Sequence, residues 1–173
     1  MNTPMITGVI EAALKAQLSD AVTGINPRLV ILASSYTFDA FAIDFSSNST
    51  NFMFGRIDPS ALEETSVFTF PFLTISILGA QDQRDIKFST FSGPVMAIVE
   101  IHHSWAQNAI IADFDSLVNA SADAIFSCLN DIQTWPGNLL WNGKAEMRPG
   151  ALKFGGLNWL KTTQFICPFR FSV

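Results

Sequence analysis

Apolar residues recur at three- and four-residue spacing over the first stretch of the chain, at Ile6, Val9, Ile10, Ala13, Leu14, Leu18, Ala21, Val22 and Ile25. This spacing lines one face of a helix of about five turns. Thr3 before Pro4 supplies a start, Gly24 with Pro27 a stop, and Glu11, Lys15, Gln17 and Asp20 form the solvated side. The pattern then turns to alternation. Leu29 to Ala33 is a short apolar run, Tyr36 to Phe45 has the period of a strand, and Ser46 to Asn51 is a small-polar turn from which Phe52 to Ile57 returns as a hairpin partner. Asp58-Pro59-Ser60 ends that unit, and Glu63-Glu64 after it reads as a solvated loop or helix start.

Phe68 to Leu78 predicts another strand, with Pro71 at its start or on a sheet edge. Gly79 to Asp85 is a loop leading to a strand over Ile86 to Phe91, and Gly93-Pro94 punctuates the chain. Val95 to His103 is apolar on both faces at first and polar on one face later, as a central strand emerging from a sheet would be. Asp113 or Asp115 can cap a helix running from Leu117 to Ile132, which Thr134 to Gly143 ends, with Trp135 and Trp141 packed on something. Ala151 to Leu160 is less regular. The last run alternates strictly, with Phe165, Cys167, Phe169, Phe171 and Val173 on one face. Helix, strands, helix, strands, without strict alternation, predicts an α+β fold: one domain over 1–173, an antiparallel or mixed sheet with two main helices packed on one face.

Composition narrows the function classes. Apolar residues are 49% of the 173 and charged residues 14%, so the chain has the apolar content to fold and little charge to cover its surface. With sixteen Phe beside one Tyr, either the few charges are spread over the surface of a monomer or a partner covers part of that surface, and the second option predicts an oligomer with sizeable apolar interfaces. A net charge of -5 disfavours a protein that grips nucleic acid by neutralising phosphates. The first residues lack the pattern of a secretory signal and no stretch has the length of a membrane span, so assembly in a cytoplasm without a membrane is expected, and Asn48-Ser49-Thr50 and Asn119-Ala120-Ser121 are chance matches to a glycosylation acceptor.

Candidate chemistry is sparse. His102-His103 is the first place to look for a metal or general base, but neighbours on a strand point to opposite faces, and a surface or interface role is the stronger reading. Cys128 and Cys167 lie on apolar faces and read as reduced, buried thiols. Gly155-Gly156 is a turn, without the lysine or spacing of a phosphate loop. No cofactor is implied, and an enzyme is the minority reading. Charge segregation is more informative. Glu100, Asp113, Asp115, Asp123 and Asp131 occur in a stretch with no Lys or Arg, whereas the chain from Lys144 onward holds Lys144, Arg148, Lys153, Lys161 and Arg170 against Glu146 alone. Either the two regions pair within the fold, or they lie on different flanks. In the second case the acids, facing Lys144, Arg148 or Lys153 of a neighbour, complement each other head to tail, the geometry that closes rings.

The leading amphipathic helix, the hairpin-rich sheet, the strand ending Ile98-Val99-Glu100-Ile101-His102, the helix from Leu117-Val118 through Ala124-Ile125 to Leu129, and the closing β hairpin together resemble the tail terminator and neck proteins of long-tailed bacteriophages. The resemblance covers most of the chain, and the Trp135 to Pro149 stretch departs from it. It implies a structural virion protein: a homo-oligomeric, hexameric ring stacked on the tail tube protein, ending its polymerisation and facing the head connector proteins, with DNA passing through the lumen without specific binding. An acidic chain suits a passage that must not hold phosphates. Two alternatives stand beside it. One is a small-ligand-binding or catalytic α+β domain, with an apolar cavity lined by Phe and Trp and with His102 or His103 at its mouth. The other is a different tail tube or baseplate subunit.

Overall fold

The computed structural model describes residues 6–36, 41–64, 67–81, 92–105, 111–131, 135, 139–141 and 143–172. The fold is α+β, with four helices and a seven-stranded mixed sheet among these residues. The sheet runs β1 (Phe52–Phe54), β2 (Phe72–Ala80), β3 (Ser92–Trp105) and β7 (Trp159–Ser172). Along the outer edge of β7 lie β4 (Leu139–Trp141), β5 (Glu146–Pro149) and β6 (Lys153–Phe154) as successive pieces of one interrupted strand. β1 is parallel to β2 and every other pairing is antiparallel. Such breaks shorten the uninterrupted edge open to unplanned pairing.

One hydrophobic cluster holds the molecule together. Leu73 and Ile75 of β2, Ala97, Val99 and Ile101 of β3, and Phe165, Cys167 and Phe169 of β7 alternate onto a single sheet face. Helices α1 (Ile6–Leu18) and α4 (Ile111–Asn130) cover that face, with Ile10, Leu14 and Leu18 from the first and Ile125, Cys128 and Leu129 from the second. Trp135 packs as expected, its ring stacked on Trp141 at 5.4 Å and edge-on to Phe169 at 4.7 Å. Both cysteines are buried and unbridged, and burial raises their thiols to about 11 for Cys128 and about 12 for Cys167.

Several sequence expectations are corrected. The first helix stops at Leu18, and Ile25 opens a separate helix, α2 (Ile25–Tyr36), that absorbs the run Leu29 to Ala33. Between them the Asp20 carboxylate accepts the backbone N–H groups of Val22 and Thr23 at 2.9 and 2.7 Å, and Gly24 donates to the Asp20 carbonyl at 3.0 Å. Pro27 is no stop, because it sits in the first turn of α2, where the backbone N–H has no helical acceptor to lose. Residues 41–45 form no strand and no hairpin with β1. Two side-chain amides hold this segment instead: Asn26 donates to the Ile43 carbonyl and accepts the Ile43 N–H, both at 2.9 Å, while Asn51 bonds the Ala42 carbonyl and the Asp44 N–H.

Gly93-Pro94 lies inside β3, where the missing proline N–H falls beside the end of β2 at Ala80. Gly79 belongs to β2, where a loop was expected, and Trp141 to β4, inside the stretch expected only to end the second helix. Because α4 opens at Ile111, Asp113 and Asp115 lie within its first turns and do not cap it. The Thr3-Pro4 start, the strand expected over Ile86 to Phe91, Ile132 and Val173 lie outside the described residues.

Candidate functional site

Alternation sends His102 and His103 to opposite faces of β3, as expected, and gives them different fates. His103 faces the helices and is fully buried; its Nε2 lies 3.1 Å from the Ser121 hydroxyl of α4. That hydroxyl spends its hydrogen on the Leu117 carbonyl at 2.6 Å, so Nε2 must donate, and Nδ1 is left as a buried acceptor without a partner. Burial, then the neighbouring His102 and Lys161, lowers its pKa to about 3. His103 is therefore a neutral core residue.

His102 lies on the other sheet face, 1% exposed, with Nδ1 at 2.9 Å from the Thr162 hydroxyl and Nε2 without a partner. Burial pulls its pKa down to about 4 despite the carboxylate of Asp58. Around it opens a cleft of about 540 Å³. The register builds its floor: Glu100 and Gln164 stand side by side on β3 and β7, and His102 with Thr162 one step along. Glu100 is 4% exposed, accepts a 2.6 Å hydrogen bond from the Gln164 amide, and has the Arg56 guanidinium at 3.8 Å. One wall is the loop from Arg56 into α3 (Pro59–Glu63), where Asp58 accepts the N–H of Ser60 at 3.0 Å. The other wall is Arg148 to Gly155, which includes Lys153 and Phe154. Arg148 is held by Glu146 at 2.8 Å.

The charged residues singled out in the sequence therefore divide into two sets. Glu100, Arg148 and Lys153 meet at the cleft. Asp115, Asp123 and Asp131 lie on the helical side: Asp115 is 3.8 Å from Lys161, Asp123 accepts the Tyr36 hydroxyl at 2.7 Å, and Asp131 pairs with Arg28 at 2.5 Å. Lys144 is exposed and stands apart from the cleft, next to Ala145, whose N–H is donated to Asn130 at the end of α4. The side chain of Asp113 lies outside the described residues. Sequence reading missed Arg56, Asp58, Thr162 and Gln164, which look like solvated positions until strand register joins Thr162 and Gln164 to His102 and Glu100 and the loop after β1 brings Arg56 and Asp58 to the same cleft.

The cleft offers three cations, two carboxylates and a neutral imidazole, an arrangement suited to binding a charged group. Among the described residues no cluster of three or more His, Cys, Asp or Glu could hold a metal, and no helix is long and apolar enough to cross a membrane. No protein-family model and no curated protein matches the chain.

Proposed function

We propose that this chain is a ring-forming structural subunit of a phage tail, the terminator that caps the tail tube and joins it to the head connector. The observation that carries the reading is a pair of unlike apolar surfaces left open on one subunit. On α2, Val30 and Ile31 are 65% and 69% exposed. At the tip of the β6–β7 hairpin, Leu152, Phe154, Leu157 and Trp159 are exposed together, with Phe154 and Trp159 in edge contact at 5.6 Å. Two different patches that each need covering favour a heterologous, head-to-tail contact, and such contacts close into rings when the rotation permits. The order α1, the β2–β3 pair, α4 and the closing hairpin supports the likeness to terminators, and the net charge of -5 suits a lumen that DNA must traverse freely.

Sizing across a concentration series, followed by electron microscopy of the largest species, tests the ring. A closed ring that blocks elongation when added to tail tubes is the expected result. A chain that stays monomeric at high concentration and in the presence of tubes overturns the proposal, and a ring that extends tubes instead of ending them makes it a tube or baseplate subunit. The cleft beside His102 favours one second reading, a small-ligand-binding domain. A persistent monomer that takes up a charged metabolite competitively at Arg148 and Lys153 decides for it.

A further inference from the structure

We infer that the cleft on the open sheet face is the socket for the acidic side of α4 from a second copy of the chain; this rests on the ring reading and identifies its contact. The rim of the cleft carries Arg56 and Arg148, whose side chains are 54% and 58% exposed, and the exposed Lys153. Arg56 reaches its buried acid only at 3.8 Å, Lys153 has no ion pair among the described residues, and Arg148 is the least free of the three, bonded to the exposed Glu146 through Nε at 2.8 Å. On α4, Asp115, Asn119 and Asp123 are the exposed positions of one stripe, at successive intervals of four residues, so the two carboxylates stand about 12 Å apart along the helix. Neither is closely neutralised: Asp115 meets Lys161 only at 3.8 Å, and Asp123 meets an uncharged hydroxyl.

The sheet decides that this complementarity works between copies. α4 covers one face and the cleft opens on the other, so a chain cannot lay its own stripe in its own cleft. The apolar surfaces run the same way. Phe154 lines the cleft and is 51% exposed at the hairpin tip, while α2, with Val30 and Ile31, is tied to the acidic side of α4 through Tyr36 and Asp123. Cleft plus hairpin tip therefore makes one half of a head-to-tail contact, and α4 plus α2 the other, with apolar area beside charge in both halves. Residue by residue, this differs from what charge segregation alone predicts. Arg56 enters, Lys144 is left out, and Glu100 and Asp131 are already occupied by Gln164 and by Arg28.

The test uses full-length chains with reversed charge. One variant carries Arg148→Glu with Lys153→Glu, the other Asp115→Lys with Asp123→Lys. Each alone sets like charge against like charge and is expected to lower the assembly constant by about tenfold or more. Mixed one to one, the reversed cleft accepts the reversed stripe and the natural cleft accepts the natural stripe, so assembly returns; a chain carrying all four changes also assembles. Thermal unfolding of each monomer separates a folding defect from a contact defect. If wild type forms rings and neither the mixture nor the fourfold variant recovers what the pairs lose, the socket is wrong and the ring stands. If wild type never assembles, both fail.

Discussion

The two adjacent histidines show how much a single strand position decides. Both imidazoles are held neutral by burial, with pKa values lowered from 6.5 to about 4 for His102 and about 3 for His103. Unfolding returns both to water, so below about pH 6.5 the unfolded chain binds more protons than the folded one, and stability falls as pH falls. Down to about pH 4 the slope from the pair approaches two protons, roughly 3 kcal/mol per pH unit; below that, of the two, His103 alone contributes, until about pH 3. Urea unfolding between pH 7.5 and 4.5 measures it. His103→Leu is expected to remove one proton from the slope, at the cost of leaving the Ser121 hydroxyl with only its bond to Leu117. A midpoint that does not move with pH would show that neither histidine is buried neutral. The sequence placed this pair on opposite faces correctly but gave no hint that the outward residue would be covered. That follows from the loop Arg56 to Ser60, whose approach to β3 is a long-range event.

At the level of elements, α4, β3 and β7 were legible because each keeps one period for three turns or more of helix or for many strand residues. The turn over residues 19–24 and the segment 41–51 were not, because their structure depends on side chains bonding to backbone, which leaves no periodicity. Asp20 folds the turn between α1 and α2, and Asn26 and Asn51 tie down a segment that alternation alone would make a strand. Gly24 is the part of this turn that tolerates no change. A Cβ there would stand 2.4 Å from the Asp20 carbonyl oxygen and 2.6 Å from that of Leu18, both backbone atoms that cannot swing away. Gly24→Ala is expected to destabilise by roughly 1–3 kcal/mol through this overpacking, whereas Gly8→Ala, with nothing near its Cβ inside α1, is expected to be neutral or stabilising, since alanine favours helix over glycine by up to about 1 kcal/mol. Chemical denaturation of the two variants side by side checks the contrast. Equal effects would mean that the turn relaxes around the extra carbon.

For the molecule as a whole, the proposed head-to-tail assembly has a direction that substitution can expose. Val30 and Ile31 on α2, and Phe154 and Leu157 at the hairpin tip, are all more than half exposed in the single chain. Replacing either pair with polar residues removes little buried area, so Val30→Asp with Ile31→Ser, or Phe154→Ser with Leu157→Asp, should leave stability within about 0.5 kcal/mol of wild type. The proposed association is expected to respond differently, because covered apolar residues supply most of the energy of such a contact and the surrounding charges set its orientation. In a head-to-tail contact each variant keeps one working half. Neither can join itself, yet a mixture can make one contact between the intact hairpin of one chain and the intact α2 of the other, and then has no half left to extend. The expected product of mixing is therefore a one-to-one dimer and nothing larger, read by light scattering. If each patch met its own copy instead, as across a two-fold axis, each variant alone would still dimerise through its intact patch, and the head-to-tail account of this surface would fall.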